Sequence, residues 1–247
     1  HMSGHSKWHS IKHKKGAADA KRGKIFTKLG NEIALAAREG ADPETNFRLR
    51  LAIQKAKQAN MPSANIDRSI ARGAGTAGGA ALEELVYEGY GPAGVAVMVE
   101  ALTDNRNRTA SDVKSTFSKY GGNLGSTGSV AYMFDKKGLI LCKVSADKDE
   151  MSLVAIEAGA ADIDDSGDQL VVYTAPKDLE AVKEALGEDN VDTADVELVP
   201  NQTVRVEDEG KARSIMKLIS FLDDLDDVSS VVANFDIPDD VLDRATA

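Results

Sequence analysis

Residues 138–199 read GLILCKVSADKDEMSLVAIEAGAADIDDSGDQLVVYTAPKDLEAVKEALGEDNVDTADVELV, and this stretch decides the fold class. Its apolar run at 139–144 has the length and the Leu/Ile/Val content of a buried strand. Helical spacing takes over at 148–158, followed by two short strand signals around Ile163 and at 170–174. A second helix is predicted at 176–186, with Pro176 at its start, and a last strand at 194–199. The order is β-α-β-β-α-β, that of a ferredoxin-like plait.

The flanking segments complete a second unit of the same kind. Segments 84–134 and 202–236, joined across the first unit, each give β-α-β. A strand is predicted at 95–102. Thr109-Ala110-Ser111-Asp112 fits a capping box for a helix with Ala110, Val113 and Phe117 inward, and a strand follows at 130–134. Beyond the insertion come a strand at 203–206, a helix at 210–222 and a strand at 228–235.

Before residue 75 the period is helical throughout. The first helix, 19–39, places Phe26, Leu29, Ile33, Ala36 and Ala37 on one face and stops at Gly40. Asp42 is expected to cap a second helix with Pro43 at its first position and Phe47, Leu51, Ala52 and Ala56 as its stripe. Ser63 is expected to cap a third, running through Ile66 and Ile70 to Gly73, and the Gly/Ala/Thr-rich segment 73–81 reads as a hinge. The expected class is therefore α+β: an N-terminal three-helix domain followed by two ferredoxin-like α+β plaits, one inserted in the other. The boundaries are 1–80 for the basic helical domain with its linker, 81–134 plus 202–247 for one plait, and 135–201 for the inserted one.

Charge divides the chain at the same place. Residues 3–28 hold seven Lys, one Arg, three His and one Trp against a single acid, Asp19, although the whole chain carries a net charge of -10. Up to Ala80 there are 15 Lys+Arg and 6 Asp+Glu, a net of +9; the remainder holds 15 and 34, a net of -19. A basic end on an acidic protein points to a polyanionic partner, and nucleic acid fits best. The single cysteine, Cys142, excludes an intrachain disulfide framework and fits a reducing cytoplasm. No run approaches the about 18 apolar residues of a membrane helix, and the N-terminal region lacks the apolar core of a signal peptide.

Several motifs carry less than they first suggest. Gly89-Tyr90-Gly91-Pro92-Ala93-Gly94 matches G-x-G-x-x-G, but a strand follows it where a dinucleotide site needs a helix. The acidic run 162–168 starts like a calcium loop, yet its twelfth position falls at Tyr173. Asp223, Asp224, Asp226 and Asp227 read as a soluble helix end and turn. His5, His9 and His13 recur every fourth residue without a Cys or carboxylate partner among interleaved lysines, so phosphate contact is a stronger reading than metal. All four histidines lie in the first 13 residues, and no nucleophile–base set stands out; neither an enzyme nor a cofactor is expected. Arg106 and Arg108, at a helix start, suit either a phosphate or the nearby carboxylates Glu100, Asp104 and Asp112. The run 121–128 brings backbone close to a partner or forms a loop.

Three signatures in order resemble the YebC/PmpR family, which includes the mitochondrial translational activator of cytochrome c oxidase subunit I. They are Ser3–Trp8 with Ile11-Lys12 and 19–26; Tyr90–Gly94 with 99–109; and 121–125 with 128–134. One departure is Ser63-Ala64, where the family pattern has Lys-Asp. The resemblance covers nearly the whole chain and implies a cytosolic regulatory protein of three domains. Members are described as DNA-binding transcriptional regulators, mitochondrial relatives act in translation, and bacterial members are implicated in relieving ribosomes stalled on proline-rich sequences.

The expected function is therefore non-enzymatic: a translation factor that binds ribosomal RNA, or tRNA on the ribosome. Its contacts would be Lys7, Lys12, Lys14, Lys15, Lys21, Arg22 and Lys24, with Trp8, His9 or His13 stacking on an unpaired base and Arg106 and Arg108 as a second phosphate contact. The alternative is a transcriptional regulator on duplex DNA. Much of the cationic charge sits in an arm suited to irregular RNA, and no recognition helix-turn-helix is evident.

Overall fold

The structure is a computed structural model that describes residues 8–9, 11–12, 22–75 and 81–247. Three helices come first: α1 (Arg22–Ala37), α2 (Phe47–Gln58) and α3 (Ser63–Gly73). Their shared core is Ile33, Ala36 and Ala37 of α1 against Leu49, Ala52 and Ala56 of α2 and Ile66 of α3. Helices α2 and α3 pack mainly on α1 rather than on each other. The small side chains let backbones approach closely. At Gly73 a Cβ would stand 2.0 Å from the Ala34 carbonyl oxygen, so Gly73 is a helix–helix contact and not part of a hinge. Residues 76–80 of the expected hinge lie outside the described residues.

The start of α2 differs from the reading of Asp42-Pro43. Residues 42–45 form a turn in which Asp42 accepts from Glu44 N at 3.0 Å and Thr45 N at 3.2 Å. Asn46 is the cap, because its carboxamide serves two helices at once. Its oxygen accepts from Leu49 N at 3.1 Å, while its Nδ2 donates to the carbonyls of Ala36 and Gly40 at 2.8 Å each. A carboxylate, having no donor, satisfies only the first of these. Ser63 is the first residue of α3 rather than its cap; Pro62 holds the cap position.

The inserted unit matches its expected order: β4 (Phe134–Cys142), α4 (Lys148–Ala158), β5 (Asp162–Asp164), β6 (Val171–Thr174), α5 (Leu179–Leu186) and β7 (Val191–Pro200); these numbers count three strands that precede the insertion. All pairings are antiparallel, in the order β5-β6-β4-β7. The separate strands expected at 130–134 and 139–144 are one strand, and residues 131–133 are a turn of 3-10 helix before it.

The surrounding unit comprises β1 (Glu83–Tyr90), β2 (Ala96–Thr103), α6 (Arg106–Lys119), β3 (Asn123–Leu124), β8 (Val204–Arg205), α7 (Glu209–Asp223), β9 (Val228–Ala233), β10 (Phe235–Asp236) and α8 (Asp239–Thr246). Its sheet order is β3-β1-β2-β9. This is the plait order with the third strand moved to the front of the chain as β1. The strand expected at 203–206 therefore leaves the main sheet and pairs in parallel with β10. Asn234 lies at that switch, between β9 and β10: its side chain accepts from Ala96 N at 2.7 Å in place of its backbone carbonyl, which is free to accept from Val204 N at 2.8 Å.

Helix α6 begins three residues before the expected capping box. Asn105 caps it by accepting from Arg108 N at 3.1 Å, and the inward residues are Thr109, Val113 and Phe117, with Ala110 at the margin. Helices α6 and α7 cover one face of the sheet through Val113, Phe117, Ile215 and Leu218 against Val97 and Val99. On the other face Ala96 and Met98 meet Val130, Phe134 and Leu198, so the two plaits share a core. Leu51 of α2 is buried among Ile140, Leu179 and Leu186, which anchors the helical unit to the inserted plait.

Candidate nucleic-acid interface

The basic end is partly folded into the protein. Trp8, His9, Ile11 and Lys12 are helical. The Trp8 ring meets Phe235 edge-on, with centroids 6.1 Å apart and planes at 76°, and Trp8 and Ile11 pack on the core beneath α7. The half-buried indole thus has part of its apolar area removed from water by the core. His9 is also largely buried, with Nδ1 3.9 Å from the Glu197 carboxylate. Burial first, and Lys12 second, lower its pKa to about 4, so it is neutral at pH 7. Lys7, His13, Lys14, Lys15 and Lys21 lie outside the described residues; Arg22 opens α1.

The remaining cations of the helical unit sort into two sets. One set is held by acidic side chains and, for Lys28, a backbone carbonyl, most of them on the α+β units. Lys24 lies 3.7 Å from Asp224 and 3.4 Å from Asp226, and Lys28 donates to the Asp223 carbonyl. On α2, Arg48 pairs with Glu84 at 2.8 Å, Arg50 with Glu180, and Lys55 with Asp195 at 2.5 Å and Glu32 at 3.2 Å. Burial disfavours the charged Lys55, but Glu32 and Asp195 together outweigh it and raise its pKa. The acidic turn after α7, which reads from sequence as mere solubility, is the receptor for the basic helix.

The second set makes no ion pair among the described residues: Arg38, Lys57, Arg68 and Arg72, all exposed. Arg72 donates to the neutral Asn31 side chain at 2.8 Å, and Arg68 to Asn65. Both contacts leave the guanidinium charge uncompensated and able to meet an external anion. Sequence reasoning passed over these four because they lie outside the dense basic run. The i,i+4 spacing of Arg68 and Arg72 was the available signal.

Arg106 and Arg108 differ from each other. Arg108 donates through Nε and Nη2 to Asp227 at 3.0 and 2.8 Å and through Nη2 to Asp104 at 3.1 Å. Asp227 also accepts from Thr109 Oγ1 at 2.8 Å. Its own burial would raise the Asp227 pKa, but the Arg108 and Thr109 hydrogen bonds outweigh that and lower it. Arg106 has a single exposed pair, Glu83 at 3.1 Å, of the kind worth little in water. Of the carboxylates read from sequence as partners, only Asp104 serves.

The glycine-rich run 121–128 is organised by Glu88. This buried carboxylate, 5% exposed, accepts from Gly128 N at 2.6 Å, Val130 N at 3.0 Å and Ala131 N at 2.7 Å. Burial alone would raise its pKa; the three backbone donors outweigh burial and lower it. Gly89 and Tyr90 end β1, and residues 91–95 form a tight turn that leads directly into β2, with Ala93 at φ 61°.

Residues 6–76 match the family described as "TACO1/YebC protein N-terminal domain", and residues 82–235 match "TACO1/YebC second and third domain". A "Probable transcriptional regulatory protein" of Moorella thermoacetica is 53% identical over 249 residues, covering 98% of this chain and 99% of the relative. One of the same description from Desulfitobacterium hafniense is 51% identical, with 97% and 98% covered. The crystal structure of a conserved hypothetical protein from Aquifex aeolicus superposes with a TM-score of 0.82 at 48% identity, over 90% of this chain and 93% of that one. Among the described residues no helix is long and apolar enough to cross a membrane.

Proposed function

The chain belongs to the TACO1/YebC family, and from that membership we propose that it is a non-catalytic, nucleic-acid-binding regulator of gene expression acting in translation. The observation that carries this reading is the split of charge: +9 up to Ala80 against -19 beyond it. Among the described residues Arg38, Lys57, Arg68 and Arg72 of the helical unit have no carboxylate partner. A polyanion approaching that end is attracted, while the net negative charge of the plaits disfavours its approach to most of the remaining surface. Ribosomal RNA, or tRNA held on the ribosome, suits a cationic helical unit whose α2 and α3 do not pack as a recognition pair. Lys7, Lys12, Lys14, Lys15, Lys21, Arg22 and Lys24 add to the same contact. The protein makes and breaks no bond; it positions substrates that the ribosome already holds, where proline-rich sequences stall it.

The test is co-sedimentation of the full chain with ribosomal subunits, for the wild type and for Lys14→Glu/Lys15→Glu/Arg22→Glu. Loss of the variant from the ribosomal pellet, with stalling at proline runs in cells lacking the protein, is the expected result. Free wild-type protein and an unchanged ribosome profile would refute it.

A second reading has its own support. Relatives about half identical over their whole length are described as probable transcriptional regulatory proteins, which favours duplex DNA as the target. It predicts sequence-selective duplex binding that survives competitor DNA.

A further inference from the structure

The acidic part of the chain carries one patch of the opposite character, on the outer face of α6 and α7. Tyr120, at the end of α6, and Phe221 of α7 are stacked with centroids 4.1 Å apart and planes 7° from parallel. Phe221 is 40% exposed, although its ring is stacked on Tyr120. Lys119 and Lys217, one from each helix, hold their ammonium groups 5.5 and 5.9 Å from the Tyr120 centroid. Lys114 is exposed on the same helix as Lys119. None of these three lysines takes part in an ion pair among the described residues, unlike Lys24, Arg106 and Arg108.

We infer that this patch is a second nucleic-acid contact, one that takes an unpaired nucleotide of a single strand. An exposed aromatic face next to uncompensated ammonium groups is the chemistry that stacks a base and holds its phosphates. A duplex keeps its base faces stacked inside and has only backbone to offer here. Phe221 is the stacking residue. Tyr120 supports it from behind, and Lys119 and Lys217, whose ammonium groups lie over the Tyr120 ring, supply the positive charge for the strand's phosphates. Tyr120 directly precedes Gly121-Gly122, and Leu218, one turn before Phe221, lies 3.3 Å from where a Cβ on Gly122 would stand. The glycine-rich run thus lets α6 and α7 close on each other and brings the two rings together.

This inference rests on the proposed nucleic-acid role, and the test separates the two. The full-length protein is titrated into fluorescein-labelled 12-nucleotide oligo(U), oligo(dT) and a hairpin duplex, with anisotropy as readout. Phe221→Ala is expected to weaken both single strands about tenfold and leave the duplex unchanged. Lys119→Glu/Lys217→Glu is expected to weaken all three and flatten the salt dependence. Phe221→Tyr, which keeps the ring, retains wild-type affinity and controls for folding. Phe221→Trp adds an indole to a chain with one, Trp8, and its emission is expected to be quenched by oligo(U). A stronger effect with oligo(U) than with oligo(dT) assigns the strand as RNA, and equal effects assign any single strand. Wild-type affinity in Phe221→Ala and Lys119→Glu/Lys217→Glu, while Lys14→Glu/Lys15→Glu/Arg22→Glu loses binding, overturns this site but spares the proposed function. It would leave the face to a protein partner. No binding by the wild type overturns both.

Discussion

Replacing Glu88 by Gln isolates what one buried carboxylate does for the glycine-rich loop. The substitution keeps volume and removes charge. In the wild type one oxygen accepts from Val130 N and Ala131 N and the other from Gly128 N. The carboxamide oxygen can keep the first pair only by turning its NH2 toward Gly128 N, donor against donor. Gly128 is exposed and finds water, so that loss sits at the low end, about 1 kcal/mol. The two surviving bonds pass from an ionised to a neutral acceptor, at about 0.5–1 kcal/mol each. The sum is a destabilisation of about 2–3 kcal/mol, measured by urea unfolding at pH 7, with faster hydrogen exchange at Gly128, Val130 and Ala131. The pH dependence has a definite sign. The native carboxyl pKa is lowered, so its contribution is complete above the unfolded value of about 4.3 and is lost as pH falls through the native value. The gap between wild type and Glu88→Gln must therefore shrink between pH 5 and pH 3. A gap below about 0.5 kcal/mol at pH 7, or one that does not change with pH, would refute the reasoning.

Two further outcomes follow from the same kind of argument. Asp227→Asn removes the carboxylate that Arg108 and Thr109 share and should lower stability by about 2 kcal/mol at pH 7. Because the native pKa is lowered, that difference should fade as pH drops below about 4, which thermal melts at pH 7 and pH 3 will check. For His9 the depressed pKa of about 4 means that docking of the Trp8 helix is complete above the unfolded value of about 6.5 and weakens as pH falls toward 4. Trp8 emission, the only indole signal of the chain, should shift to the red in that window, and His9→Gln should not show the step.

Local pattern carried the inserted plait because each of its signals is local. The residues of α4 and α5 sit between apolar runs short enough to be strands, and the order of elements alone names the topology. Sheet order in the outer plait is not local. β1 occupies the third-strand position, and no residue in it says so. Its same-face neighbours Val86 and Glu88 are inverted, the valine 53% exposed and the glutamate 5%, because the glutamate has three backbone partners some forty residues away. Asn46 was missed for the same reason: its value lies in the carbonyls of Ala36 and Gly40 as much as in its own helix. Asp104 is within reach of a spacing rule, but the other partners of Arg106 and Arg108, Glu83 and Asp227, lie 23 and 119 residues off. A charge count finds the basic end, but only the fold separates its clamped cations from its open ones.

That separation has a consequence for how binding responds to salt. A cation that reaches phosphate from solvent displaces one condensed counterion, and log K then falls with log salt by about 0.7–0.9 per contact. A cation already held by a carboxylate must first leave it, and the freed carboxylate recruits a cation from solution. The release and the uptake nearly cancel. Lys24, clasped between Asp224 and Asp226, should therefore add little to the slope even if it reaches the nucleic acid, whereas Lys57, Arg68 and Arg72 should each add their full share. Lys24→Gln is expected to leave the salt slope of oligonucleotide binding nearly unchanged. Arg68→Gln/Arg72→Gln should reduce it by about 1.4–1.8. Equal reductions in the two variants would mean that the carboxylate clasps on the acidic turn after α7 are not held in solution.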